Sequence, residues 1–232
     1  EEAGYRVIAV DHRGHGRGIR SLEPFRLADC ADDCAGLLET LGTGPITVVG
    51  YSMGGAIAQL MAARHPSTVH SIVLCATTNQ WHDNPRMRLA WKTIGALEFA
   101  LTHANHRLWV RLLRRQGLVA GNEVTDWIIT ELERNAPAAV AEAGREMSRF
   151  DARPWLKDIK VPAAVICPRQ DELVPPRFQR QLAADLPDGR LYELEGHHVV
   201  VSQDAPRYLR VLLQALADLE ERRAGVAREA TG

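Results

Sequence analysis

Short runs of β-branched and aliphatic residues alternate along the chain with longer stretches in which apolar positions recur every three or four residues. The first pattern is strand-like and the second helical, and their alternation predicts an α/β fold, a mostly parallel sheet flanked by helices. Strands are expected over residues 5–10, 46–49, 69–75, 163–167 and 190–194. Between the first two, Leu27, Cys30, Cys34, Leu37, Leu38 and Leu41 share one helical stripe, which Gly42 and Gly44 then stop. A second helix, residues 53–64, is rich in glycine and alanine and so able to approach a sheet closely before His65-Pro66 ends it. The last amphipathic pattern covers residues 206–219, and the charged tail 220–232 is expected to fray.

Strand signals stop between residues 79 and 150, where the pattern is helical with breaks at Asn84-Pro85, Gly117, Gly121-Asn122 and Ala136-Pro137. This predicts a core of residues 1–78 and 151–232 carrying a helical cap, 79–150. Trp81, Trp91, Trp109 and Trp127 fall in that insertion and are expected to form its own small core, with Arg111, Arg114 and Arg115 on a solvated face. The sharper alternative is that the tryptophans line an apolar substrate pocket.

Composition narrows the partners. The 232 residues include 28 Lys plus Arg against 29 Asp plus Glu, a formal net charge of -1, so no overall field draws a polyanion and nucleic acid is not expected as a partner. No apolar run approaches the roughly 20 residues that a membrane-spanning helix needs, so no membrane span is predicted. The four cysteines, Cys30, Cys34, Cys75 and Cys167, lie in apolar periodic sequence and are expected to be reduced core thiols. No His or Cys stands near Cys30 and Cys34 at ligand spacing, so no metal site is expected there.

The chemistry-bearing pattern begins where the strand-like Ile46-Thr47-Val48-Val49 runs into Gly50-Tyr51-Ser52-Met53-Gly54-Gly55 and then into a helix. A G-x-S-x-G sequence between strand and helix is a nucleophile elbow: the turn, tight enough to call for glycine on either side, lifts Ser52 to a helix N-terminus. There the Met53 N–H and the positive end of the helix dipole can meet a developing oxyanion. A serine hydroxyl needs a base to take its proton and a carboxylate to orient that base. Asp171 follows the strand at 163–167, and Glu195-Gly196-His197-His198 follows the strand at 190–194, so candidates for both roles lie beyond strand carboxyl ends, where sites of open α/β sheets gather. His197 and His198 are alternative bases.

With these residues in place the chain resembles the α/β-hydrolase fold superfamily over nearly its whole length, most nearly bacterial hydrolases with the elbow G-Y-S-M-G-G. Asp11-His12-Arg13-Gly14-His15-Gly16 looks like the D-x-R-G-x-G loop after that family's fourth strand, and Leu173-Val174-Pro175 like the segment after its acid. The resemblance implies Ser52 as nucleophile, Asp171 as the orienting acid with Glu172 in solvent, and Met53 as oxyanion donor. It favours His198 over His197 as base on two spacings, forward from Arg190 and back from Pro206. It implies cleavage of a small-molecule ester, thioester or lactone through an acyl-serine, without cofactor. Cofactor-free perhydrolysis, acyl transfer and carbon–carbon bond hydrolysis share the same elbow and stand as alternatives. The family's earlier strands, and the loop that supplies a second oxyanion donor, would precede residue 5. The expectation is therefore a partial chain: a weak catalyst alone or a protein that acts by binding, with exposed sheet edges, a tendency to form homo-oligomers and a cytoplasmic location.

Overall fold

The structure is a computed structural model that describes residues 3–81 and 137–229. It divides into two compact units, one of Glu1–Tyr5, Leu27–Trp81 and Phe150–Gly232, the other of Arg6–Arg26 and His82–Arg149. In the first unit the order is α1 (Leu27–Leu41), β1 (Ile46–Tyr51), α2 (Met53–Arg64) and β2 (Val69–Cys75). The second unit contributes α3 (Pro137–Arg149). The first unit resumes with a 3-10 turn (Leu156–Asp158), β3 (Ala163–Pro168), α4 (Pro176–Asp185), β4 (Gly189–Leu194), α5 (Val200–Gln203) and α6 (Ala205–Glu229). Most of the expected cap, 79–150, lies outside the described residues, as do Trp91, Trp109, Trp127, Arg111, Arg114 and Arg115; Trp81 is buried in the first unit.

The sheet is parallel throughout in the order β1-β2-β3-β4. Strands buried on both faces need apolar residues at successive positions rather than at alternate ones, which is why Ile72–Cys75 of β2 and all of β3 read as continuous hydrophobic runs. Val73, Cys75, Ala164 and Ile166 meet Tyr208, Ala215, Leu216 and Leu219 of α6 on one face. Alternation sends Ile72, Leu74 and Val165 to the other, where they are completely buried. Packing of this kind stabilises by about 1.5–3 kcal/mol for each large side chain removed from water.

Two expectations are corrected. Residues 5–10 form no strand, and Arg6 through Val10 are exposed. β-propensity measures how well a side chain suits a half-buried pleated face, and this run has no such face to occupy. Among the described residues β1 accordingly carries no partner strand on its outer side, and Val49 there is 45% exposed. The tail does not fray at residue 220 either, since α6 continues to Glu229. Its extension is rich in Glu, Arg and Ala, which are good helix formers, and Arg222 ties it down by pairing with Asp188 and, at 3.3 Å, with Asp218. No helix among the described residues is long and apolar enough to cross a membrane.

In the second unit the loop of Arg6–Arg26 is stapled by Asp11, whose carboxylate accepts the Arg17 N–H at 2.9 Å. Glu142 of α3 accepts the Phe25 N–H at 3.0 Å.

α1 is tied to α2 by Asp32, which accepts from Arg64 Nε at 2.9 Å and Nη2 at 2.7 Å and lies 2.6 Å from His65 Nε2. The Arg64 guanidinium, with a smaller contribution from His65, holds the Asp32 carboxyl down at about 2. A depressed acid contributes stability above its unfolded value and loses it as pH falls through the folded one. Asp32 is 39% exposed, so solvent screens the pairing and its worth is at most about 1 kcal/mol. Asp32→Asn should therefore lower stability by that amount or less at neutral pH. The gap between variant and parent should close as pH falls from about 4 toward about 2, which urea unfolding at a series of pH values checks.

The elbow glycines generate a second expectation. A Cβ at Gly50 would sit 2.2 Å from the Gly54 carbonyl oxygen, and one at Gly55 would sit 2.4 Å from Thr77 Cγ2, whereas one at Gly54 would meet nothing within 4 Å. The close approach on the helical side is thus made at Gly55 rather than at the motif's own Gly54. Gly50→Ala should destabilise by about 2 kcal/mol or more, as overpacking against fixed backbone does, while Gly54→Ala changes stability by less than about 1 kcal/mol. Equal unfolding midpoints for the two variants would contradict this reading of the turn.

Candidate active site

The C-terminal ends of the strands set the site. Tyr51, the last residue of β1, pairs with Cys75 of β2, and the ladder continues one step further because the Ser52 N–H donates to the Cys75 carbonyl at 2.8 Å. Ser52 then takes φ 53°, in the left-handed region that side chains with a Cβ rarely adopt. Such a conformation costs about 1–3 kcal/mol and persists only where the surroundings impose it. The β1 ladder on one side and the start of α2 on the other impose it here. A serine at a helix N-cap ordinarily turns its hydroxyl onto the first-turn amides. Ser52 makes no such bond. Its Oγ lies instead 3.1 Å from His198 Nε2.

The other side of the site comes from β3 and β4. Beyond the strands, Arg169 N–H donates to the Leu194 carbonyl at 2.9 Å and Gln170 N–H to the Gly196 carbonyl at 3.0 Å, zipping the two following loops together. Asp171 and His198 are the products of that pairing: His198 Nδ1 is 2.9 Å from Asp171 Oδ2. The Asp171 side chain is fully buried and that of His198 is 16% exposed. A buried carboxylate needs donors, and Asp171 has them on both oxygens. Oδ1 accepts the Leu173 N–H at 3.0 Å and the Val174 N–H at 2.7 Å. Oδ2 accepts from Gln179 Nε2 at 3.0 Å as well as from His198. In the tautomer that carries its proton on Nδ1, toward the carboxylate, the imidazole presents the lone pair of Nε2 to the Ser52 hydroxyl.

Ser52, Asp171 and His198 are therefore brought together. His197 is not: it is exposed, and its Nδ1 donates to the Gln170 carbonyl at 3.1 Å. Glu172 also faces solvent. Met53 opens α2 directly after Ser52, so its N–H is among the first-turn amides that have no partner inside the helix.

Two neighbours were not singled out from the sequence. Tyr51, the variable position inside the elbow, donates its hydroxyl to the His198 carbonyl and sets its ring edge-on to His198 at a centroid distance of 6.0 Å. Burial pushes the Tyr51 hydroxyl well up from its ordinary value, so it remains a donor. Gln179 of α4 is the second. It stands one turn before the buried Leu182 and Ala183 on the helix's inward stripe, and a polar residue at an apolar position was the available signal.

The cysteines are buried and unbridged. Burial raises Cys75 to about 12 and Cys34 and Cys167 to about 11, which leaves them protonated and poor nucleophiles at neutral pH. Among the described residues no cluster of His, Cys, Asp and Glu has the makings of a metal centre.

Comparison with known proteins agrees with this architecture. The chain is 32% identical over 200 residues to the pimeloyl-(acyl-carrier protein) methyl ester esterase of Neisseria meningitidis serogroup C, spanning 83% of this chain and 75% of that one. It is 30% identical over 224 residues to a Serratia proteamaculans protein provisionally named carbamate hydrolase RutD, spanning 90% of this chain and 80% of that one. MenH from S. aureus superposes with a TM-score of 0.78 at 21% identity over 91% of this chain and 83% of its own, a likeness of fold alone. The sequence profile of the alpha/beta hydrolase fold matches residues 1–203, the stretch that holds the parallel sheet, the elbow and the two loops closing on it, and the chain belongs to that family.

Proposed function

We propose that the chain is a serine hydrolase that cleaves a small-molecule carboxylic ester, thioester or lactone through an acyl-serine at Ser52. The hydrogen-bonded line from Asp171 through His198 to Ser52 carries this reading. His198 Nε2 takes the Oγ proton as Oγ bonds to the substrate carbonyl carbon and the carbonyl electron pair moves onto oxygen. The Met53 N–H is the donor assigned to that oxyanion. The carbonyl re-forms, the bond to the leaving oxygen or sulfur breaks, and the leaving group departs with the proton from Nε2. Water, deprotonated by the same nitrogen, attacks the acyl-serine and releases the acid and free Ser52. Asp171 holds the Nδ1 proton throughout, which fixes the tautomer and stabilises the imidazolium. The two curated relatives support the reading, because a methyl ester and a carbamate both present a carbonyl bearing a heteroatom leaving group.

One series of variants, assayed on p-nitrophenyl esters, tests the assignment. Ser52→Ala should abolish turnover while shifting stability by no more than about one hydrogen bond, roughly 1 kcal/mol. Asp171→Asn should lower the rate by about three to four orders of magnitude. An amide there must set its NH2 either against the Leu173 and Val174 N–H groups or against His198 Nδ1–H and Gln179. Glu172→Gln should leave the rate unchanged, and His197→Ala should cost far less than His198→Ala. Parent-level turnover by Ser52→Ala would refute the nucleophile.

A further inference from the structure

The Asp171 carboxylate is anchored unevenly. Its Oδ1 accepts from two backbone N–H groups of the same loop, but the torsion about an aspartate's Cβ–Cγ bond is broad and carries both oxygens together, so a donor on Oδ2 holds the carboxylate plane at its other edge. Oδ2 is the oxygen that meets His198, and besides the imidazole it accepts from Gln179. Gln179 is completely buried, and its Nε2 also donates to the Val174 carbonyl at 2.7 Å. Both of those neighbours are acceptors, so the amide can face them only with its NH2. Its Oε1, turned away, finds no partner among the described residues. A buried amide oxygen left unpaired costs about 1–3 kcal/mol, and an apolar residue on this stripe of α4 would carry no such cost. The reason for a glutamine here therefore lies on its NH2 side, which serves the buried Asp171 carboxylate and the Val174 carbonyl.

We infer that Gln179 is a positioning residue for the reaction proposed above: its amide spans Asp171 Oδ2 and the Val174 carbonyl and so sets the plane in which the carboxylate presents Oδ2 to His198. The inference rests on the acyl-serine reading, and it adds a residue of α4 that touches no reacting atom. The imidazole follows the carboxylate plane, and the direction of the Nε2 lone pair toward Ser52 follows the imidazole. A misplacement of about 1 Å in such a line can cost about 10²-fold in rate.

Gln179→Met and Gln179→Glu, studied beside Ser52→Ala in the full chain, test it. Methionine keeps the length and removes the donor. It should lower kcat by about 10- to 100-fold and leave KM within about twofold, since Gln179 is assigned no contact with substrate. Glutamate reads the same donor by pH. Among the described residues the titratable and charged groups that bear on the position are Asp171 and, through it, His198 and Tyr51, together with Cys167, whose thiol lies against the Pro176 carbonyl at the head of α4 and within the field of Arg169, Arg180 and Glu193. Next to a buried carboxylate, a second carboxyl is favoured in its protonated form, in which its O–H replaces the amide donor. Once ionised it offers no donor and repels Asp171.

The ratio of Gln179→Glu to parent kcat should therefore fall as pH rises from about 6 to about 9, while the Gln179→Met ratio stays flat. A purely structural role would move the melting temperature and leave these ratios level. If Gln179→Met fails to fold, the pH dependence of the Gln179→Glu ratio decides alone. A kcat for Gln179→Met within twofold of the parent, or a level Gln179→Glu ratio, overturns the role of Gln179 while an inactive Ser52→Ala keeps the acyl-serine reading. Turnover by Ser52→Ala at the parent rate overturns that reading instead.

Discussion

A carboxylate whose side chain is fully buried cannot be left short of hydrogen-bond donors, and much of the site's construction follows from meeting that demand at Asp171. The loop after β3 bends so that Leu173 and Val174 aim their N–H groups at one oxygen, and α4 places Gln179 against the other. What remains on that second oxygen is one direction of approach, and His198 occupies it. The histidine's loop is in turn held by the zipper between the loops after β3 and β4 and by the Tyr51 hydroxyl on the His198 carbonyl. Tyr51 is the residue before Ser52. The elbow thus positions its own partner as well as its own hydroxyl.

The same economy appears at Ser52. A serine hydroxyl at a helix start has an attractive local use, and diverting it takes a backbone conformation that points it elsewhere. The left-handed φ at Ser52 does this, sustained by the continued β1–β2 ladder and by the close approach of Gly50 to the Gly54 carbonyl. Local strain here is stabilised by regular structure on either side, so the rigid parallel sheet and the freedom of the Ser52 Oγ belong to one argument.

Much of this was legible in the sequence, for reasons that differ from residue to residue. Ser52 stood out because a tight glycine turn between an apolar strand and a small-residue helix has few other uses. Asp171 and the His197-His198 pair stood out because parallel strands deliver their following loops to one end of the sheet, and the preference for His198 came from the spacings of the family resemblance. Gln179 and Tyr51 were not legible in the same way, since their contacts depend on which atoms face them across gaps of 8 and 147 residues. The run at residues 5–10 was misread because a β-rich composition describes a side chain's preference and says nothing about whether a pleated, half-buried face exists for it. Gly54 was credited with a constraint that belongs to Gly55, a difference set by Thr77 on a neighbouring segment.

The central claim is that the Ser52 Oγ, relieved of capping and hydrogen-bonded to His198, is the atom that bonds to substrate. The most direct measurement is inactivation of the parent chain by a fluorophosphonate, with the adduct mapped by peptide mass spectrometry and the residual esterase activity followed in parallel. The account predicts a single adduct on Ser52 whose growth matches the loss of activity. Activity lost through an adduct on another residue, or esterase turnover that persists when Ser52 is fully modified, would contradict it.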